Sequence, residues 1–212
     1  MEYPKIQSVY LRDPANKSKT FLLGQWAKEE FGYLSDLPWL WTEKIDGTNI
    51  RVIWKGDCWG VSFAGKTDKA AIPGFLLSYL QCTFTAAKLA ACFAGPAILY
   101  GEGYGAKIQK GGELYRPDAG FILFDVLCED VWLTRESVED IAGKLCIPIV
   151  PLVGVGALVP AIDLVRRGFK SVVAPAREAE GLVMRPMFEL RDREGNRIIT
   201  KVKHKDFVIE AR

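Results

Sequence analysis

The sequence predicts an α+β protein with mostly antiparallel sheets and a few covering helices. Apolar runs rich in β-branched and aromatic residues alternate with glycine-containing breaks, longer segments show helical periodicity, and 49% of the 212 residues are apolar. Because a chain of this length and apolar content can bury its own core, we expect residues 1–212 to form a single domain.

The predicted strands share short apolar runs bounded by turn residues. The first three follow one another closely, so we expect a meander, and the next two are apolar enough to be buried. The last segment predicts strands around the turn REGN. In order, these segments are LWTEKI (40–45), NIRVIWKG (49–56), CWGVSFAG (58–65), AILYGE (97–102), GFILFDV (120–126) and the stretch 180–207.

Helices are predicted between these strands. QWAKEEFGYL (25–34) predicts a short helical piece, after a loop at LRDPANKSKT (11–20). The stretch from Phe75 to Phe93 contains no glycine or proline and predicts one amphipathic helix. Thr134 is placed to cap a helix that Pro148 ends, and PAIDLVRRGF (160–169) predicts a further short helix with its proline in the first turn.

Composition narrows the possible functions. The 28 Lys and Arg nearly balance the 26 Asp and Glu, giving a net charge of +2, so any phosphate site must be local. The five cysteines form no CxxC pair, which favours a reducing, cytoplasmic setting over a disulfide framework or a zinc site. We find no signal peptide and no apolar segment long enough to span a bilayer, so we expect a soluble protein with no membrane partner.

Lysines dominate two short segments that could carry chemistry. Lys44 lies in TEKIDGTN, and Lys201 and Lys203 alternate along a predicted strand, so they face the same side. An amine attacks an electrophile only in its uncharged form, which neighbouring cations favour. If the two later lysines lie beside Lys44, it is a candidate nucleophile. The alternative is that they form the polar face of an edge strand.

Two carboxylates and one aromatic residue are further candidates. Glu102 and Glu180 each lie at a strand boundary beside glycines, where a carboxylate can bind a ribose hydroxyl or a magnesium ion. The alternative for either one is an ordinary turn residue. Phe124 could stack on a base, or it could be a core residue of its strand. The sequence has no GxxxxGK[ST] loop, and the context of GEGYG does not fit a dinucleotide-binding fingerprint.

The order of these segments resembles that of a known family. EKIDGTN, YGEGYGAKIQKG, FILFDV, EGLVMR and KVKHKDF stand in the order of motifs I, III, IIIa, IV and V of the covalent nucleotidyltransferases, the superfamily of ATP-dependent ligases and capping guanylyltransferases. Asn49 at the end of motif I and the GAKIQKG that follows Glu102 resemble phage-type, nick-sealing RNA ligases. The resemblance implies the adenylyltransferase fold, with two mostly antiparallel sheets, flanking helices and the nucleotide bound between the sheets.

The resemblance also implies a role for each matching residue. Lys44 would attack the α-phosphate of ATP to form lysyl-AMP, with Lys201 and Lys203 neutralising that phosphate. Glu180 would hold the divalent metal, Mg²⁺ or Mn²⁺, and would also belong to the ATP-binding set. Glu102 would bind the ribose, Phe124 would stack on adenine, and Glu43 would frame the adenine edge. The remaining implied ATP-binding residues are Thr42, Ile45, Asn49 and Lys66, the last standing where relatives commonly carry arginine.

The implied activity is that of an ATP-dependent RNA ligase that joins a 5′-phosphate end to a 3′-hydroxyl end. Relatives usually carry an OB-fold or a helical domain after motif V, whereas only VIEAR follows Phe207, so we expect no such domain. Weak, salt-sensitive polynucleotide binding and an accessory protein are therefore expected. Alternatives are a minimal DNA ligase acting on DNA ends, a guanylyltransferase, and a nucleotide-binding or RNA-binding module without catalysis.

Overall fold

The computed structural model describes residues 1–15, 20–56 and 59–207. Part of the predicted loop at 11–20, Cys58 and the last five residues lie outside the described residues. The chain divides into two compact units: Met1–Pro4 with Asp46–Val150, and Lys5–Ile45 with Pro151–Arg212. Each unit has its own sheet and apolar core. The single domain expected from the sequence, without an appended OB-fold or helical domain, stays a prediction.

The described strands and helices are numbered in chain order. The strands are β1 (Gln7–Ser8), β2 (Tyr10–Arg12), β3 (Phe21–Trp26), β4 (Trp39–Glu43), β5 (Thr48–Trp54), β6 (Val61–Ala64), β7 (Ala97–Gly105), β8 (Ala119–Cys128), β9 (Val131–Trp132), β10 (Leu152–Gly156), β11 (Gly181–Pro186) and β12 (Thr200–Lys203). The α-helices are α1 (Glu29–Tyr33), α2 (Gly74–Thr83), α3 (Ala86–Cys92), α4 (Arg135–Leu145) and α5 (Leu158–Arg167). Short 3-10 turns occupy Gly112–Leu114 and His204–Asp206.

The sheet of the first unit is antiparallel, in the order β6-β5-β7-β8-β9. One face is covered by α2, α3 and α4, whose buried Leu76, Leu89 and Val138 share a core with Ile50 and Leu99 of the sheet. Because side chains alternate along a strand, the residues between these core positions point to the other face. Asn49 and Glu102, which are paired across β5 and β7, therefore lie on that other face.

A bulge interrupts the pairing of β7 with β8. Tyr100 is opposite Asp125 and Gly101 is opposite Leu123, which leaves Phe124 as an extra residue. Phe124 follows the core residue Leu123, so it points to the face opposite the core, where it packs beside Tyr3. An aromatic side chain therefore lies on the same face as Glu102, at the point where the ladder is interrupted.

The second unit holds a sheet in the order β1-β12-β11-β4-β10, antiparallel except for the parallel pair β1 and β12. Trp39, Leu182 and Val202 from three of these strands share a core with Phe31 of α1 and Ile162 of α5. A separate two-stranded sheet, β2 with β3, belongs to the same unit. The central place of β11, between β4 and β12, determines which side chains meet.

Most predicted elements are confirmed, with two corrections. The single helix from Phe75 to Phe93 is wrong, because the helix breaks at Phe84 and Thr85 caps a second helix by accepting a hydrogen bond from the Lys88 amide. The meander is also wrong, because β4 pairs with β11 and β10 rather than with β5. The strands β1, β2, β3, β9 and β10 were not predicted; all but β3 are five residues or shorter.

Among the described residues, no single helix is long and apolar enough to cross a membrane. The helices α2 and α3 meet the length and composition criteria only when counted together across a bend of 53°.

Candidate active site

The candidate site of the second unit lies on the sheet face opposite its core. Val183 is paired with Thr42 on one side and with Lys201 on the other, so these three residues form a row across β4, β11 and β12. Two residues earlier in β11, Gly181 is paired with Lys203. The Gly181 carbonyl oxygen accepts a hydrogen bond from the Lys44 amide at 2.9 Å. The predicted juxtaposition of the later lysines with Lys44 is therefore present in the backbone pairing.

Glu180 joins two of these lysines. Its Oε2 lies 2.6 Å from Lys44 Nζ and its Oε1 lies 2.6 Å from Lys203 Nζ, and the three side chains are only 14 to 21% exposed. Burial would raise the pKa of Glu180, but attraction to Lys44 and the hydrogen bonds from both lysines outweigh burial and lower that pKa below its ordinary value. The Glu180 carboxylate therefore holds the ammonium groups of Lys44 and Lys203 next to each other.

The close packing around Gly181 explains why Glu180 sits where it does. Gly181 has a φ of +155° and a side chain there would lie 2.0 Å from the Val202 carbonyl oxygen. The Glu180 carbonyl oxygen accepts a hydrogen bond from the His204 amide at 2.9 Å. Because Gly181 admits this close approach of β12, Glu180 is brought beside Lys203.

Glu43 points to the opposite side of β4. Its side chain is buried, and its two oxygens accept hydrogen bonds from the Ser171 hydroxyl and from the Val172 amide, the latter at 2.8 Å. The carboxylate therefore fixes the turn at residues 171–173. Ile45 is likewise buried. The predicted ATP contacts of Glu43 and Ile45 stay predictions, and the structure gives Glu43 an additional structural role.

The first unit carries the other predicted residues on the face opposite its core. Asn49 and Glu102 are cross-strand neighbours, and Phe124 is half-buried on the same face. Asn49 Oδ1 is buried, and no described residue donates a hydrogen bond to it. A buried oxygen without a donor costs about 1–3 kcal/mol, so this position suits a ligand that brings a hydroxyl or an amine.

Lys66 is exposed on the loop after β6. That loop is anchored by Arg51, which was not among the predicted site residues. Arg51 is almost wholly buried, donates from Nε to the Gly65 carbonyl oxygen at 2.8 Å, and forms an ion pair with Asp68 at 2.7 Å. Arg51 lies between the core residues Ile50 and Val52 of β5, so its side chain is on the opposite face. A charged residue at this position of an apolar strand could have been recognised in the sequence.

The turn that opens β5 is held by residues that sequence analysis missed. Tyr115 Oη accepts a hydrogen bond from the Asp46 amide at 3.2 Å, and Gln109 Nε2 donates to the Gly47 carbonyl oxygen at 2.9 Å. On its other side Gly47 is so close to β7 that an added Cβ would lie 2.3 Å from the Gly103 carbonyl oxygen. Gln109 belongs to GAKIQKG, so its segment was identified although its partner was not.

Known proteins resemble the chain in sequence and in fold. A family model described as RNA ligase matches residues 37–203. Among solved structures, the chain is similar to the Naegleria gruberi RNA ligase with pyrophosphate at 18% identity and a TM-score of 0.65, over 82% of this chain and 52% of that one. A point mutant of the same ligase in its apo form matches at 15% identity and a TM-score of 0.66, over 97% and 58%.

A further point mutant of that ligase, solved with ATP and Mn, matches at 17% identity and a TM-score of 0.65, over 95% of this chain and 57% of that one. The chain thus spans a little more than half the length of these structures, and at such identities the likeness shows the fold, which is of the nucleotidyltransferase type. No curated protein sequence matches the chain. Because the RNA ligase model covers well over half of its residues, the chain belongs to the RNA ligase family.

Proposed function

We propose that this protein is an ATP-dependent RNA ligase that works through a lysyl-AMP intermediate on Lys44. The observation that carries the proposal is the cluster of Lys44, Glu180 and Lys203, in which one buried carboxylate holds two lysine side chains at 2.6 Å each. A carboxylate whose pKa is shifted by neighbouring cations is typical of a site that handles charged substrates. Membership of the RNA ligase family supports the reaction class.

In the first step Lys44 Nζ attacks the α-phosphorus of ATP. A P–N bond forms, the P–O bond to the leaving group breaks, pyrophosphate departs, and the amine loses a proton. In the structure Lys44 is paired with Glu180, so the attack requires that pair to open. Lys201 and Lys203, on the same sheet face, are assigned to the charge that grows on the phosphate oxygens. Thr42, in the row with Lys201, is assigned to the same end of the nucleotide.

In the second step the AMP moves from Lys44 to the 5′-phosphate of a polynucleotide, where a pyrophosphate bond replaces the P–N bond. In the third step a 3′-hydroxyl attacks that 5′-phosphate, the new phosphodiester bond forms, and AMP leaves. The proposed substrate is RNA with a 5′-phosphate and a 3′-hydroxyl; DNA ends are the alternative that the sealing assay separates. An accessory protein that helps to hold the polynucleotide stays a prediction. The reducing, cytoplasmic setting predicted from the sequence is part of the proposal.

The first unit is proposed to hold the adenosine of ATP. Glu102 would accept a hydrogen bond from the ribose, and the Asn49 oxygen that has no donor among the described residues would accept a second one. Phe124, which lies on that face at the bulge in β8, would stack on adenine. Lys66 would contact the ribose or a phosphate from the loop that Arg51 anchors.

The residues fit a divalent cation held mainly by substrate. The described residues contain no group of three or more His, Cys, Asp or Glu able to enclose a metal ion. Mg²⁺ commonly uses one or two protein carboxylates together with substrate phosphates, and Glu180 is the carboxylate at this cluster. When bound, Mg²⁺ or Mn²⁺ would neutralise phosphate charge. The Naegleria gruberi ligase structures solved with ATP and Mn support this choice.

The test is to mix the protein with MgCl₂ and ATP labelled in the α-phosphate and to look for an acid-labile protein adduct. We expect an adduct with ATP and not with GTP, and its chase onto a nicked duplex that carries an RNA 3′-hydroxyl end. Sealing of an all-DNA nick at an equal rate would favour a DNA ligase. Complete absence of the adduct would favour a module without catalysis.

A lysine pair within the second unit gives a matched control. Lys203→Ala should slow adduct formation by about 10²-fold, which is the usual loss for one charge-stabilising donor. Lys170 also forms an ion pair with a glutamate, Glu178, but both side chains are more than half exposed and neither is a member of the cluster. Lys170→Ala should therefore leave the rate unchanged, and equal losses in both variants would contradict the role of Lys203.

A further inference from the structure

An aromatic cluster on the non-core face of the first unit has Tyr3 at its centre. The Tyr3 ring lies 5.0 Å from Tyr100, 5.1 Å from Phe124 and 5.5 Å from Trp132 between centroids, with interplanar angles of 60 to 83°. These edge-to-face arrangements each stabilise by about 0.5–1.5 kcal/mol beyond the area they bury. Tyr3 is the residue of this cluster that lies against Phe124.

Hydrogen bonds fix the position of Tyr3. Its hydroxyl donates to Asp125 Oδ2 at 2.9 Å, and Asp125 is almost wholly buried next to Phe124 in the chain. The Tyr100 hydroxyl donates to the Met1 carbonyl oxygen at 3.1 Å, and Glu2 Oε1 accepts from the Asp68 amide at 3.1 Å. The segment Met1–Pro4 is therefore tied to the rest of the first unit at three successive residues.

Phe124 needs such support because of where it lies. It is the extra residue of a bulge, so no residue of β7 is directly opposite it. Tyr3 packs against the ring at nearly a right angle and is itself anchored to the adjacent Asp125. A ring held from the side loses less freedom when a base stacks on it, because its rotamer is already selected.

We infer that Tyr3, although it lies outside all five motifs, is a positioning residue for the adenine base, acting by holding the ring of Phe124 in its stacking orientation. The inference rests on the proposed function, because it assigns adenine to Phe124. The inference predicts that the loss of binding free energy is specific to the base. Losing Tyr3 should weaken the binding of ATP and should not weaken the binding of the same triphosphate without adenine.

The experiment measures binding without chemistry. In a Lys44→Ala background, the Kd values of ATP and of ribose 5′-triphosphate, which lacks the base, are compared with Tyr3 intact and in Tyr3→Leu and Tyr3→Phe. We expect Tyr3→Leu to raise the Kd of ATP about tenfold, which is within the range measured for losing one base stack, and to leave the Kd of ribose 5′-triphosphate unchanged. Tyr3→Phe keeps the ring but loses the hydrogen bond to Asp125 Oδ2, so its Kd of ATP should lie between those of the Tyr3 and Tyr3→Leu proteins.

A stability control separates positioning from general loosening. Val138→Ala removes buried side-chain atoms from α4, which packs on the core face of the same sheet, and should destabilise the first unit without changing either Kd. An unchanged Kd of ATP in Tyr3→Leu, an equal rise for the base-free triphosphate, or an equal rise in Val138→Ala would each overturn the inference. Failure of the proposed function would be seen separately, as the absence of an adduct in the protein that retains Lys44.

Discussion

Substituting Gly47 by alanine tests whether the turn that opens β5 positions Glu102, which is proposed to bind the ribose. The added Cβ would lie 2.3 Å from the Gly103 carbonyl oxygen and 2.8 Å from Glu102 Cγ, and real Cβ contacts essentially never fall below 3.0 Å. The β7 strand has little room to retreat, because Gly103 itself is packed against Leu76 and Ile50 on the core side. The substitution must therefore displace the backbone at Glu102 or the turn itself.

The expected cost has two parts. Overpacking of this kind usually destabilises by about 1–3 kcal/mol, which urea unfolding would detect. A displacement approaching 1 Å at a substrate-binding group can cost up to about 10²-fold in rate, so the rate of adduct formation at subsaturating ATP should fall by one to two orders of magnitude. Both effects follow from one steric contact, and they should appear together.

Gly143→Ala is the matched control. It lies in α4 of the same unit, and an added Cβ there would meet no atom within 4 Å. Alanine in a helix is more favourable than glycine by about 0.5–1 kcal/mol, so stability should hold or rise and the adduct rate should not change. If Gly47→Ala unfolded at the same urea concentration as the unsubstituted protein and formed adduct equally fast, the steric reasoning would be refuted.

Three further substitutions test individual contacts. Glu180→Gln should lower the free energy of unfolding at neutral pH by on the order of 2 kcal/mol. Because the pKa of Glu180 is lowered in the folded state, its stabilising contribution is present above the ordinary carboxyl pKa and is lost as the pH falls through the folded pKa. Urea titrations should therefore show the stabilities of the two proteins converging in acid. Arg51→Lys keeps the charge but cannot serve both the Gly65 carbonyl and Asp68 in the same way, and should destabilise by about 1–3 kcal/mol in the same titration; an unchanged midpoint would contradict the anchoring role. Tyr115→Phe removes the acceptor of the Asp46 amide, so hydrogen exchange at that amide should accelerate, and unchanged exchange would show that the bond is not formed in solution.

The lysine cluster could be predicted in part from sequence. Alternation placed Lys201 and Lys203 on one face of a strand, and the flanking glycine marked Glu180. What could not be predicted is that β11 lies between β4 and β12, because this pairing joins segments far apart in the chain. The bridging of Lys44 and Lys203 by one carboxylate follows from that pairing.

The corrections have local physical causes. Apolar periodicity continued through the stretch 75–93, but Thr85 caps a new helix and Phe84 turns into the core against Phe121, so the chain bends. Tyr3 and Tyr115 were missed because neither belongs to a periodic segment, and their importance comes only from their partners. Phe124 was identified as a possible stacking residue, while the bulge that leaves it without a partner in β7 is visible only in the register of β7 and β8.

Lys44 is the proposed site of the AMP adduct, and peptide mass spectrometry of the labelled protein identifies the residue that carries it. After incubation with ATP and MgCl₂, the added AMP should be found on the peptide that contains Lys44, and it should be absent from Lys44→Ala while remaining in Lys55→Ala, an exposed lysine that follows β5. Recovery of AMP on Lys201, on Lys203 or in the Lys44→Ala protein would contradict the account.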